Sequence, residues 1–247
     1  MTKRFENKVV VITGGSDGIG LMTAKLFAAE GAHVYITGRR QERLDEALQE
    51  IGRGAVGVRG DVGSLDDLDR LYERIQRDHG KVDVVFANAG ISESAPIGEI
   101  EEDHFDRVFA TNVKGLVFTV QKALPLMKEG GTIILTGSGS GSKGLPELSI
   151  YSATKAAIRS FARTWTTDLK NQGIRVNVVS PGVILTPALQ TYLRDNEGAE
   201  EALKQMTPFG RLGQTDEVAK AVLFLASNDS SFIAGDELFV DGGFMAV

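Results

Sequence analysis

Two short stretches of this 247-residue chain carry residue types whose spacing can do chemistry. The first is Thr13-Gly14-Gly15-Ser16-Asp17-Gly18-Ile19-Gly20. Glycines let a backbone approach a ligand closely. A helix opening there offers unpaired N–H donors and a favourable dipole to a pyrophosphate. The spacing is GxxxGxG, not the more familiar GxGxxG, and the competing reading is a strand-to-helix turn with spare glycines. The second stretch is Tyr151-Ser152-Ala153-Thr154-Lys155. Four residues apart on a helix, the phenol and the ammonium share one face. A fixed cation there predicts a phenol pKa lowered from about 10 toward neutrality. Such a tyrosine is a general acid toward a carbonyl oxygen, or a base toward an alcohol. YxxxK also arises by chance in many helices.

Both stretches need elements to hold them. Seven short apolar runs, rich in β-branched residues, fall at 9–12, 34–36, 55–58, 82–87, 132–135, 174–179 and 237–240. Segments of helical period lie between them, at 19–27, 44–51, 65–75, 105–126, 150–169 and 218–226. Gly31 stands where a helix C-cap favours glycine. The runs show no polar alternation, as expected of strands covered on both faces. The pattern predicts one α/β domain, a Rossmann-like, doubly wound, parallel seven-stranded sheet with helices on both faces. Ligands of such sheets bind beyond the carboxyl ends of the strands, where the strand order reverses. Residues 187–213 break the rhythm. An insertion at that edge predicts a substrate lid, with a helical surface decoration as the plainer alternative.

Composition removes several classes of function. There is no cysteine, hence no disulfide framework, thiolate nucleophile or cysteine-held metal. His33, His79 and His104 are isolated, so a zinc hydrolase is not expected and no metal ligand is assigned. A formal net charge of −6 argues against nucleic acid or an anionic membrane as partner. The apolar runs fall short of the roughly 18 residues of a membrane span, and the first is too short for a signal peptide. A cytoplasmic protein is the expectation.

The motifs stand in a telling order: TGxxxGxG at 13–20, Asn88-Ala89-Gly90, Asn112, Ser138, Tyr151 with Lys155, then Pro181-Gly182. In this order the chain resembles a single-domain short-chain dehydrogenase/reductase, from Lys8 to its last residue. The resemblance implies a tetrad of Asn112, Ser138, Tyr151 and Lys155. Tyr151 would be the general acid/base. Lys155 would lower the phenol pKa and hold the nicotinamide ribose. Ser138 would bind the substrate oxygen, and Asn112 would anchor a water behind Lys155. Ser138 directly follows the fifth strand, so it is preferred over Ser140, which would line the substrate site, and over Ser142, read as loop chemistry. Implied cofactor contacts are Gly14, Ser16, Ile19 and Gly20 in the turn. Asp61 and Val62 would hold the adenine, Asn88 and Gly90 the region of the adenosine ribose, and Thr186 the carboxamide. Asp61 and Thr186 have plainer readings too, as a helix-start carboxylate and as a cap for the segment at Pro187.

At the end of the second run, where an acidic residue would favour NAD, the chain has Gly38 followed by Arg39 and Arg40. A guanidinium at Arg39 suits a 2′-phosphate, whereas Arg40 is read as the start of the next helix. Asp17 departs from the basic residue that many NADP-preferring relatives carry in the glycine turn. The expectation is NADP(H). The function expected is hydride transfer between NADP(H) and a ketone or secondary alcohol, as in a carbonyl reductase with an apolar-leaning pocket. A 3-oxoacyl-carrier-protein reductase, a hydroxysteroid dehydrogenase and a sugar or polyol enzyme stay open, as does a catalytically silent dinucleotide-binding regulator. The basic group Arg159, Arg163 and Lys170 would serve a carrier protein or an ordinary solvated face. The resemblance further implies a homotetramer.

Overall fold

A computed structural model describes residues 3–52 and 54–247. Seven strands among them form one sheet in the order β3-β2-β1-β4-β5-β6-β7, with every neighbouring pair parallel. The strands are β1 (Val9–Thr13), β2 (His33–Gly38), β3 (Ala55–Arg59), β4 (Val82–Ala87), β5 (Met127–Thr136), β6 (Arg175–Pro181) and β7 (Glu237–Val240). The first half of the chain builds outward from β1 in one direction and the second half in the other. The order therefore reverses between β1 and β4, which pair as Val10↔Val84 and Ile12↔Phe86. This switch point opens a crevice at the ends of β1 and β4.

Strand residues alternate sides, and both sides are apolar. Val9 and Val11 pack with Leu71, Ile75 and Ile158, from α3 (Leu65–Asp78) and α6 (Ser149–Asp168). Val10 and Ile12 pack on the opposite face with Phe27, Leu44 and Val222, from α1 (Gly18–Ala29), α2 (Gln41–Ile51) and α9 (Thr215–Ala226). Burying each such side chain stabilises the fold by about 1.5–3 kcal/mol. Two buried faces leave no position for alternating polar residues. Gly31 ends α1 at φ 91°, in the left-handed region where glycine is favoured.

Three segments differ from the reading of the sequence. The helix expected over 105–126 is divided into α4 (Glu102–Phe109), a π-helical turn (Ala110–Gly115) and α5 (Leu116–Ala123). Apolar periodicity registers only the average turn, so one widened turn leaves no mark on it. Strand β5 begins at Met127, well before the apolar run at 132, and the pairing slips between Val82↔Met127 and Val84↔Thr132. The intervening Lys128-Glu129-Gly130-Gly131 has no strand signature and no partner on β4, and the early start rests on the pairing of Met127 with Val82. The 187–213 insertion contains α7 (Pro187–Asp195) and α8 (Ala199–Gln205), and neither helix has a buried residue. No helix among the described residues is long and apolar enough to cross a membrane.

Candidate active site

The glycine turn is built for close approach. Gly14 lies at φ 63°, which a side chain would strain, and a Cβ on Gly20 would sit 2.1 Å from the Gly14 carbonyl oxygen. Only a glycine at 20 lets α1 start against the end of β1. Asp17 caps α1, its carboxylate accepting from the Gly18 N–H at 2.8 Å. An acidic cap there is favoured by the helix dipole. Across the switch point, Asn88 donates to the carbonyls of Thr13 (3.0 Å) and Gly14 (3.2 Å). The Thr13 hydroxyl in turn accepts from the backbone of Asn88 and Ala89. The Asn88 carboxamide is thereby committed to holding the turn.

A cleft of about 690 Å³ runs beside this turn. Of the expected residues, Gly14, Ser16, Arg39, Asp61, Val62 and Gly90 line it. Ile19, Gly20, Asn88, Thr186, Tyr151 and Lys155 do not. Ile19 packs into the core beneath α1, and Thr186 caps α7 by accepting from the Leu189 N–H. Its methyl group faces Gly18, where a Cβ would stand 3.2 Å away. The Asp61 carboxylate accepts from the Gly63 N–H at 2.9 Å, as a local turn carboxylate does. Arg40 precedes α2 and also lines the cleft beside Arg39, and both are exposed. Thr37, Thr111 and Ala188 line it as well. These three gave no signal, because nothing in their types or spacing marks them.

The four expected catalytic residues converge from three elements. Ser138 follows β5 and caps a short turn, its Oγ accepting from the Ser140 backbone (3.3 Å) and hydroxyl (3.0 Å). Tyr151 and Lys155 lie one turn apart on α6, with Nζ 5.5 Å from the phenol ring centre. Asn112 sits in the π-helical turn and is buried, its Oδ1 accepting from the Ile91 N–H at 2.9 Å. Its two N–H bonds reach the Ile91 carbonyl (2.9 Å) and the Thr154 hydroxyl (3.1 Å). Only the second lone pair of Oδ1 remains for a water. Gly90 joins this group to the cleft, since a Cβ there would stand 3.3 Å from Asn112 Oδ1 and 3.7 Å from Lys155 Nζ.

The electrostatics correct one expectation. Burial pushes the Tyr151 phenol above its ordinary pKa, and a hydrogen bond with Ser138 only partly opposes this. Lys155 is 5% exposed, and burial lowers its own pKa to about 8. Sequence spacing places the cation near the phenol but says nothing of the water that both lose. For the phenol, desolvation is the larger effect and the Ser138 hydrogen bond the smaller. Nζ donates to the Thr136 carbonyl at 2.8 Å, and two of its three donors remain free for ligand hydroxyls.

A side-chain-free floor at Gly14 and Gly90, a cleft of this size and an under-used buried ammonium fit an extended dinucleotide. Fold and site together define a dinucleotide-binding domain equipped for proton transfer. Comparison with known proteins agrees. Residues 14–245 match the family described as enoyl-(acyl carrier protein) reductase. Oxidoreductase asL5 of Sarocladium schorii is 49% identical over 98% of this chain and 97% of that protein. The NADP-dependent (R)-specific alcohol dehydrogenase of Lentilactobacillus kefiri is 36% identical over 100% of both chains. A solved short-chain dehydrogenase/reductase family protein superposes with a TM-score of 0.88 at 40% identity, covering 99% of this chain and 100% of its own. The chain belongs to the short-chain dehydrogenase/reductase family. It is an oxidoreductase of a family that uses nicotinamide dinucleotides.

Proposed function

We propose that the protein is an NADP(H)-dependent carbonyl reductase, acting on ketones and, in reverse, on secondary alcohols. The observation that carries this reading is the convergence of Ser138, Tyr151 and Lys155 beside a dinucleotide-sized cleft whose far end holds Arg39. The nicotinamide, when bound, supplies or accepts the hydride. Ser138 holds the substrate oxygen with its hydroxyl, kept in place by Ser140. Tyr151 delivers the proton to that oxygen, and Lys155 orients the ribose with its free donors. Gly14 and Ser16 take the pyrophosphate, Asp61 and Val62 the adenine, and Arg39 the 2′-phosphate. The NADP dependence stated for the relative from Lentilactobacillus kefiri supports the choice of cofactor.

The insertion at 187–213 is proposed as the substrate lid. Tyr192, Met206 and Phe209 are 51%, 44% and 71% exposed, an unusual expenditure of apolar surface unless a ligand covers it. That surface supports an apolar-leaning substrate. A carrier-protein substrate is less well supported, because Arg159 is already engaged. It forms an ion pair with Glu237 (2.9 Å) and donates to Ser142 (2.8 Å).

The test is Tyr151→Phe. General acid–base transfer contributes about 10²–10⁴-fold, so turnover on a panel of ketones should fall by that factor while NADPH binding is retained. A wild-type rate in Tyr151→Phe would remove the reading, and a wild type inactive on every carbonyl would favour the regulator.

A further inference from the structure

We infer that Thr154 is a positioning residue for the proposed proton transfer, its hydroxyl tying Asn112 to the helical turn that carries Tyr151 and Lys155. The inference rests on reading Tyr151 as the proton donor. Thr154 is fully buried. Its hydroxyl donates to the Tyr151 carbonyl at 2.6 Å and accepts from Asn112 Nδ2 at 3.1 Å. Asn112 in turn holds both backbone groups of Ile91. The orientation of the carboxamide is fixed, because the Ile91 N–H requires an oxygen. One unbroken hydrogen-bonded path thus runs from the loop after β4, through the π-helical turn, into α6.

The turn at the other end needs such an anchor. Tyr151 is the third residue of α6, and the first turn of a helix has N–H groups without helical partners. Leu148, at the N-cap position, supplies no side-chain hydrogen bond. The Thr154 hydroxyl joins the Tyr151 carbonyl of this turn to Asn112, which lies outside the helix. A threonine there is costly by local criteria, since β-branched residues form helices less readily than alanine. The neighbouring Ser152 makes the contrast: its buried Oγ has no hydrogen-bond partner and bridges nothing. Of the two hydroxyls inside the Tyr151–Lys155 motif, Thr154 alone connects the catalytic groups. The widened turn matters for the same reason, since it carries the Asn112 side chain to Ile91 and Thr154 together.

Thr154→Val keeps the shape and removes the bridge, and Thr154→Ser keeps the bridge. In Thr154→Val, kcat should fall about tenfold, a fraction of what acid–base transfer supplies. KM for NADPH and for the ketone should stay within about twofold, because ground-state contacts are unchanged. The pH profile of kcat should move, and Thr154→Ser should restore both. A purely structural role would lower the melting temperature and leave kcat and its pH profile intact. If Thr154→Val fails to fold, Thr154→Ala carries the same expectation. A wild-type kcat and pH profile in the bridge-less variant, or equal damage in Thr154→Ser, overturns the inference. Tyr151→Phe keeps the two levels apart. An active Tyr151→Phe defeats the underlying reading, whereas an inactive one beside a normal Thr154→Val defeats this inference alone.

Discussion

Replacing Lys155 with methionine separates what the ammonium does for chemistry from what it costs the fold. Burial holds its pKa near 8 in the cofactor-free protein, against an ordinary value of 10.5. That gap corresponds to about 3 kcal/mol of stability by linkage. The sign follows from proton counts. The folded pKa lies below the unfolded one, so between pH 8 and 10.5 the unfolded chain binds more protons. Wild-type stability therefore gains across that window, while below about pH 8 the penalty of the buried charge is fully present. Methionine fills similar space and does not titrate. Losing the bond from Nζ to the Thr136 carbonyl costs about 1–3 kcal/mol, a term independent of pH.

At neutral pH these two effects nearly cancel, so Lys155→Met should be about as stable as wild type and yet inactive. The stability difference, wild type minus variant, should then widen by about 3 kcal/mol as the pH approaches 10.5, or about 6–12 °C in Tm for a chain of this size. Urea unfolding of both cofactor-free proteins, followed by far-ultraviolet circular dichroism across the pH series, measures it. Titrations common to both proteins drop out of the difference. A difference that stays flat, or one that shrinks with rising pH, would refute the account of Lys155 as a charge held at a desolvation penalty.

Arg39→Leu should lower kcat/KM with NADPH by about tenfold and leave NADH nearly unchanged, the lower end of what charge-assisted hydrogen bonds contribute because Arg39 is exposed. Equal losses with both cofactors, measured by reduced-nicotinamide absorbance, would withdraw the 2′-phosphate assignment. Gly38→Asp is the weaker probe, since a Cβ at 38 would lie 2.7 Å from Ser16 Oγ and disturb the turn itself. Sedimentation velocity at micromolar concentration should return a homotetramer of the 26.5 kDa chain. Its proposed seam is the outer face of α5 and α6, where Phe161 and Trp165 stack at 5.0 Å beside an apolar groove formed with Val117 and Leu124. A monomer would remove that proposal.

The sheet was legible in the chain because its signal is local and redundant. Each strand contains a short apolar run, a segment of helical period lies between each run and the next, and Gly31 marks a helix end by a conformation that glycine alone adopts easily. The glycine turn was legible for the same kind of reason, since Gly20 permits an approach that any side chain forbids. Other features depend on partners distant in sequence. The π-helical turn is held by Ile91 and Thr154, respectively 21 and 42 residues from Asn112. The early start of β5 depends on pairing with β4. The engagement of Asn88 with the turn crosses 75 residues. Spacing named these side chains as candidates but could not tell which would face the cleft and which would hold its wall.

The phenol marks where spacing and environment part company, and the environment bears on the direction of the reaction. An i,i+4 lysine argues for phenolate, the form that removes a proton from an alcohol. In the folded protein both groups lose water, and the tyrosine that results holds its proton more tightly than a free phenol. Lys155, with a pKa near 8, still carries its charge at neutral pH. A reductase needs the protonated phenol. Hydride arriving at a carbonyl carbon leaves negative charge on the oxygen, and a neutral tyrosine beside the Ser138 hydroxyl is placed to neutralise it. The tight hold on the proton in the resting site does not hinder this step, because the developing alkoxide is far more basic than any phenolate. The reverse reaction must first remove that proton, so it should dominate only as the pH rises. On this reading carbonyl reduction should outpace alcohol oxidation near neutrality and lose that lead as the pH rises, which initial rates in both directions across a pH series would check.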